Sequence, residues 1–326
     1  MKWQLPETRW ASALEKQRKL LSVLLLILAL AVIGEIFIGG IFTATQALST
    51  LKYASYTAMF ALCQMIVIAG GGNALDLSVG YVATISAIFG VAIMDGRGGI
   101  YLVLAVLASI AVGGAFGACN GFLIAYFDLS PLVVTMSMSS IVQGIINVYA
   151  AGTSISGKPA PILRTLTVED TLGIPNIILF MIALIVLVFL CLKKTSLGPV
   201  LRGVGANPRA AFLSGADVRA RRFSTFVISG AIAGLVGLML AGNMNMVFKD
   251  MASSYVMPSY AAVVVGGIAL AGGETSYLRV YLGAVFLQLL TSLFIQLGGG
   301  DAVKWFGYGM ILYILLLVYA SDRRKK

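Results

Sequence analysis

The chain has 326 residues, 59% of them hydrophobic and only 11% charged, with a formal net charge of +10. Soluble domains carry about 25% charged residues, so this composition excludes one; apolar runs of roughly 20 residues, the length a helix needs to cross a bilayer, recur throughout. The basic residues gather at the ends of those runs, which argues orientation in a membrane and not nucleic-acid binding, and the absence of histidine, with Cys63, Cys119 and Cys191 all inside apolar runs, predicts no disulfide framework, metal site or cofactor.

The tail 1–19 is too long for the charged region of a signal peptide. The run 20–42 behind it, which contains Glu35, is too long for the apolar region of one, so it reads as a retained span. Nine further spans follow at roughly 53–71, 76–94, 100–126, 132–150, 174–192, 223–243, 256–272, 276–296 and 302–320. Runs of this length demand helices, because backbone polar groups in lipid must be satisfied within each segment. Barrel strands would be shorter and alternating. The expected fold is therefore an all-α integral membrane protein of about ten transmembrane helices. Its body is 20–320, and 321–326 is a second basic tail.

Two connections are long, 151–173 and 193–222. The N-terminal tail, the 193–222 loop and the C-terminal tail hold most of the 23 basic residues. Cytoplasmic loops carry the excess of Lys and Arg, so all three belong on that face. Ten spans place both termini together, with the loop after the sixth span beside them. Loop 151–173, with Lys158 and Arg164 against Glu169 and Asp170, falls on the opposite face. Four spans precede the sixth span after the first, and four follow the long loop, starting from opposite sides. Inverted four-helix halves are permitted by this pattern.

Small residues recur four apart at Gly113, Gly117 and Gly121 and again along Gly230, Gly234 and Gly237, which suits close helix packing in lipid. The stretch GGGNALDLSVG, 70–80, interrupts an apolar run with three glycines and then places Asp76 at its end. An ionisable residue near membrane depth marks a functional site. An N-cap on a new helix starting at Leu77 is the plainer alternative, and the two are compatible. Glu35 reads either as a proton or substrate site or as a carboxylate at a span end; with no basic neighbour in sequence, the second is preferred. Asn120, Gln64, Gln143, Asn147, Asn243 and Gln288 lie in or near spans, where amides mostly join helices at about 0.6–2 kcal/mol each. As a set they imply an interior that is polar but almost uncharged, suited to a neutral hydroxylated permeant.

No phosphate-cradling loop is present, since Gly157-Lys158 is followed by proline. No nucleophile–base set or paired carboxylates suit chemical catalysis. The remaining oddity is GANPRAAFLSGADVRARRF, 205–223, a basic insert between apolar runs. Asn207 followed by Pro208 is a helix start and Gly215 a C-terminal cap, so Arg209–Ser214 predicts about two helical turns. Arg219, Arg221 and Arg222 anchor the seventh span. The short helix suits a groove on another protein or an anionic lipid surface, and physics alone does not choose.

GANPRAAFLSG resembles the G-x-N-x-x-A-A-x-x-S-G-I signature of ribose-type ABC importer permeases. Three more stretches resemble that family's motifs, in the family's order: GGGNALDLSVG, GACNGFLIAYFDLSPLVVT and VVVGGIALAGGETSYLRVYLGA. The likeness runs from about the second span to the end. It departs at Asn73-Ala74, which are extra, at Ala216 after Gly215, and at Ser276, Arg279 and Val280, where small residues are usual. The resemblance implies a type II ABC importer-like fold in the bacterial inner membrane. It implies a permease subunit that is not itself an enzyme, two ATPase chains, a periplasmic substrate-binding protein, a second permease subunit and a monosaccharide as permeant. Coupling to the ATPase falls on Gly205, Asn207, Pro208, Arg209, Ala210, Ala211, Ser214 and Gly215. The pathway or its helix breaks fall on Gly71, Gly72, Asp76, Ser78, Gly80, Asn120, Pro131, Thr135, Gly266, Gly267, Gly272 and Gly273. An ion-coupled secondary transporter and a permease for nucleosides or another non-sugar solute are the alternatives.

Overall fold

A computed structural model describes residues 9–72, 74–152, 155, 157–195, 197–268, 272–273, 275–298, 300, 302–303, 305–310 and 313. Helices α1 (Arg9–Phe37), α2 (Ala44–Ala69), α3 (Val79–Met94), α4 (Ile100–Tyr126) and α5 (Pro131–Gly152) come first. A short α6 (Pro161–Thr167) and a two-strand ladder of β1 (Asp170–Thr171) and β2 (Ile174–Pro175) lead to α7 (Asn176–Lys194). Then come α8 (Leu197–Ala206), α9 (Pro208–Leu213), α10 (Val218–Met244), α11 (Val256–Val265) and α12 (Tyr277–Gln296). The ladder is antiparallel, Asp170 opposite Pro175. Residues 302–303, 305–310 and 313 are helical; the rest of the expected tenth span and the tail 321–326 lie outside the described residues, as do residues 1–8 of the N-terminal tail.

Among the described residues, seven helices are long and apolar enough to cross a membrane, and α3 and α11 are shorter apolar helices. Several expected boundaries move, the end of the first span from 42 to Phe37 among them. The second span starts at Ala44, where Thr43 caps it by accepting from the Gln46 N–H; polar residues at 45–52 hide this part of the helix from a hydropathy reading. The seventh starts at Val218, capped by the Asp217 carboxylate through the Ala220 N–H at 2.9 Å, so Arg219–Arg222 form its first turn. The eighth is helical only to Val265, because Gly267 turns the chain at φ +70°.

Successive long helices run up and down, so their connections collect at two ends. Turns 70–72 and 127–130, helices α8 and α9, and the turn after α11 share one end. Connections 37–43 and 94–100, and α6, share the other. There the Gly96 N–H donates to the Lys158 carbonyl at 2.6 Å and the Lys52 ammonium to the Val168 carbonyl at 3.1 Å. Leu163 and Thr167 of α6 are buried, so α6 plugs the bundle on its inner side, while Ile162, Leu166 and Leu172 face outward.

The core is built from α2, α3, α10, α11 and α12, while the outer faces of α1, α4 and α7 expose Leu, Val, Ile and Phe as lipid-facing helices do. Apolar burial does little between helices already in lipid, so close backbone contact holds them. The α4–α10 seam does this with glycine. A Cβ at Gly113 would overlap the Gly230 carbonyl, and one at Gly117 the Phe226 carbonyl. The small-residue pattern is thus a packing device, and Ser109, in the same seam, donates to the Ser86 carbonyl at 3.0 Å.

Candidate functional site

At the α9 end the chain forms the short helix the insert predicts. Asn207 Oδ1 accepts from the Ala210 N–H at 3.0 Å and Pro208 takes the first helical position. The Gly215 N–H donates to the Phe212 carbonyl and the Ala216 N–H to the Ala211 carbonyl, with Gly215 at φ +86°. This is a glycine-closed C-terminus, completed by Ser214 Oγ on the Ala210 carbonyl. No residue of α9 is buried; Arg209 and Ala210 are exposed, and Phe212 and Leu213 stand 68% and 78% exposed. Its six residues make about 1.7 turns, and Gly215 leaves the helical region just beyond the Ser214 cap.

Gly205 ends α8 in a junction of four glycines. A Cβ there would overlap the Ala69 carbonyl and the Gly273 N–H, while one at Gly71 would lie 2.9 Å from Gly205 Cα and one at Gly272 2.7 Å from Gly71 Cα. Gly71, Gly272 and Gly273 have φ of +79°, +100° and +88°. Glycines from three segments far apart in sequence thus join the end of α2, the root of α9 and the chain beyond α11. Gly72, whose added Cβ would lie 3.3 Å from Arg222 Nη2, lines a cavity of about 270 Å³ together with Arg222, Gly70, Asp128, Ser130, Pro131 and Thr225. Arg222 Nε is buried there without a hydrogen-bond partner.

Beyond Gly72 the chain turns back into the bundle as extended backbone, 74–76, before α3 begins. Non-helical backbone at membrane depth needs protein partners, and α2 and α5 provide them. Gln64 donates from Nε2 to the Asp76 carbonyl at 2.7 Å and accepts the Asp76 N–H at 3.2 Å. Thr135 Oγ1 donates to the Leu75 carbonyl at 3.3 Å and Ser139 Oγ to the Leu77 carbonyl at 2.8 Å. Gln64 lies five residues before the end of α2, which puts Asp76 about 8 Å inside the bundle. Asp76 is not the N-cap of α3; Ser78 is. The Asp76 carboxylate accepts the Ser78 N–H at 3.0 Å and its hydroxyl at 2.6 Å, holding the bend, and Asn120 Nδ2 donates to the Ser78 hydroxyl at 2.9 Å while its own Oδ1 stays unpaired.

The other interrupted span is α11. After α10 the chain re-enters the bundle through 245–255. The Tyr255 ring stacks on Phe60 with centroids 5.3 Å apart, and Phe60 lies nine residues, about 14 Å, from the α9 end of α2. The Ala252 N–H donates to Thr84 Oγ1 at 3.2 Å, and a Cβ at Gly80 would lie 2.7 Å from the Ala252 carbonyl oxygen and 2.6 Å from Val256 Cγ2. The first turns of α3 and α11 therefore meet inside the bundle. At the far end of α11, a Cβ on Gly266 would lie 2.7 Å from the Arg279 carbonyl oxygen. Buried Arg279 donates from Nη1 to the Gly267 carbonyl at 3.4 Å, so the arginine that departs from the family pattern ties α12 to the turn closing α11. Glu35 does not face this interior. Its carboxylate accepts the N–H groups of Gly40, Ile41 and Phe42 at 2.7–3.2 Å and holds the turn after α1.

Sequence reading alone marks Gln143 and Asn147 as amides in or near spans but passes over Tyr81 and Asp250 beside this meeting point. Tyr81, in the first turn of α3, accepts at its hydroxyl from Gln143 Nε2 of α5 at 2.8 Å, and Asp250 lies within electrostatic reach of that hydroxyl. Below and above Gln143, α5 exposes Ser137, Ser140 and Asn147 at helical spacing. The signal was the excess of Ser, Gln and Asn on one face of an otherwise apolar helix.

A bundle of membrane-length helices with two interrupted spans that meet inside it, and an exposed helix elbow at one end, is the architecture of a membrane transport subunit. Residues 46–319 match the family described as Branched-chain amino acid transport system / permease component, and the chain belongs to it. It is 29% identical over 308 residues to the fructose import permease protein FrcC of Rhizobium meliloti, covering 92% of this chain and 84% of that one. It is 25% identical over 316 residues to the ribose import permease protein RbsC of Escherichia coli K12, covering 96% and 95%. It is 26% identical over 311 residues to the Autoinducer 2 import system permease protein LsrC of Shigella flexneri, covering 95% and 88%. No solved structure matches the chain. The resemblance to ribose-type importer permeases is borne out, and the chain is a transport subunit.

Proposed function

We propose that the chain is the membrane-spanning subunit of an ATP-driven importer that carries a neutral monosaccharide across the bacterial inner membrane. In this reading it crosses ten times, with both termini and α9 in the cytoplasm and α6 on the periplasmic face. Spans α2–α5 and α10 onward form inverted halves. Support for the halves comes from α3 and α11, the two short, interrupted spans, which are the second member of each set, as expected of transporters with binding at the repeat interface. The polar face of α5 argues for a second permease subunit opposite it, because Ser137, Ser140 and Asn147 gain nothing from lipid. Transport then runs between the two subunits. A periplasmic binding protein delivers the sugar to the α6 face.

The observation that carries this reading is α9, a capped helix with no buried residue that presents Phe212 and Leu213 beside Arg209. An apolar pair held out on a rigid elbow fits the groove of a partner protein, here the ATPase. Its closure would move Gly205 and, through the glycine junction, the turns that end α2 and α11. Arg209→Glu together with Leu213→Asp tests this in membranes that hold the complete transporter. Binding-protein-stimulated ATP hydrolysis and sugar uptake should both fall at least tenfold while the permease stays folded in the membrane. Normal uptake by this variant would refute the assignment.

A further inference from the structure

We propose that Tyr81, Gln143 and Asp250 form a contact site for the permeant halfway along the pathway, selecting a solute that presents several hydroxyl groups. The proposal rests on the importer reading above and deepens it. Binding of solute is thereby shared between the binding protein and the permease itself.

Three elements bring the groups together: Gln143 in the middle of α5 donates to Tyr81 in the first turn of α3, and Asp250 lies in the re-entrant segment two residues before Ala252, which packs on Gly80 beside Tyr81. Their depth follows from their neighbours. Tyr81 adjoins Gly80, which packs on Ala252 and Val256, and Tyr255 stacks on Phe60 in the interior of α2. Gln143 is twelve residues, about 18 Å, along α5 from Pro131. All three side chains are partly exposed at that depth. A phenol, an amide and a carboxylate opening on one surface at membrane depth belong to a water-filled path and not to lipid.

Their chemistry is complementary to a sugar. The Gln143 amide offers a donor and an acceptor, the Tyr81 hydroxyl offers both, and the Asp250 carboxylate accepts from two hydroxyls. The Tyr81 ring adds an apolar face for the C–H side of a pyranose or furanose. The 2.8 Å bond between Gln143 and Tyr81 fixes both side chains without closing either one's remaining hydrogen-bonding capacity. A solute lacking hydroxyls would leave these groups unpaired, which is the stronger form of discrimination.

The test uses the complete transporter in proteoliposomes with tritiated D-ribose and D-fructose. Gln143→Leu and Tyr81→Phe should each lower uptake at saturating binding protein by about five- to tenfold and change the ribose-to-fructose ratio, with Gln143→Asn less affected. A second readout does not depend on turnover. With exposed Cys119 and Cys191 replaced by serine, Gln143→Cys should react with a membrane-impermeant methanethiosulfonate, and millimolar D-ribose should slow the reaction. Unchanged selectivity in both variants, or a rate of reaction at the introduced thiol indifferent to the sugar while the parent protein transports it, would overturn the site and leave the importer reading standing. Uptake of neither sugar by the parent protein, with ATP hydrolysis still stimulated by another solute, would remove the monosaccharide reading and this site together.

Discussion

Replacing Gly205 by alanine tests whether α9 is mechanically joined to the interrupted spans. The new Cβ would overlap the Ala69 carbonyl and the Gly273 N–H and lie 3.0 Å from Gly273 Cα. Backbone on two sides cannot rotate away as a side chain can, so α8 must back off from both. Overpacking of this kind costs about 1–3 kcal/mol. Alanine in a helix gains up to about 1 kcal/mol over glycine, leaving a net loss of about 0–2 kcal/mol. Gly203, two residues earlier in the same helix, has nothing within 4 Å of its built Cβ, so Gly203→Ala collects the propensity gain alone and is the control. Thermal unfolding in detergent should rank Gly203→Ala above the parent and Gly205→Ala below it. The larger effect belongs to coupling: with α8 displaced, ATP hydrolysis continues while sugar carried per ATP falls severalfold in Gly205→Ala only. If both variants transport with the parent's ratio, or if Gly205→Ala melts no lower than Gly203→Ala, the glycine junction does not transmit motion.

Three further outcomes are expected. Gln64→Leu strands the N–H and the carbonyl of Asp76 in the bundle, at about 1–3 kcal/mol each, so it should depress the melting temperature and the yield of folded protein sharply, while Gln64→Glu, which retains an acceptor for the N–H, should lose less. Asn207→Ala removes the cap of α9 at a cost of about 1 kcal/mol; binding-protein-stimulated ATP hydrolysis should fall severalfold with little change in melting temperature, because α9 buries nothing. Glu35→Gln combined with Asp76→Asn should keep ATP-dependent uptake, since Glu35 holds a turn and the amide oxygen introduced by Asp76→Asn can still accept from Ser78. Loss of uptake in that variant, with parent uptake that collapses with the ion gradient and not on ATP depletion, would favour ion coupling.

Capping chemistry is local, so α9 was legible in sequence: Asn207, Pro208 and Gly215 each do at their positions what their side chains or backbone freedom prescribe. The glycine seam of α4 and α10 was legible for the same reason, as a spacing on each helix. The junction of Gly71, Gly205, Gly272 and Gly273 was visible only as separate oddities, because contacts between turns so distant along the chain leave no periodic trace. Asp76 drew notice through its charge; its bond to the Ser78 N–H two residues on is a local Asx-type pattern, but no local pattern links it to Gln64. Tyr81 and Asp250 passed unnoticed. A tyrosine at the start of an apolar helix is ordinary, and Asp250 looks like a loop residue until the structure carries its loop back into the bundle.

The lengths of α3 and α11 explain why the chain interrupts both. Sixteen residues of α3 rise about 24 Å and ten residues of α11 about 15 Å. Together they equal the roughly 40 Å of the uninterrupted α10. Their first turns meet, at Gly80 against Ala252 and Val256, and they run to opposite ends of the bundle. Two half-spans placed head to head point both positive helix ends at the same interior level. A continuous span would bring no helix end there. In the proposed site that field would favour the oxygen lone pairs of a hydroxylated solute beside Tyr81 and Gln143. α11 runs from that level toward the end where Gly272 and Gly273 press on Gly71 and on Ala206 at the root of α9. In the proposed mechanism a displacement of α9 would be passed to the interior level along α11, a helix of about three turns.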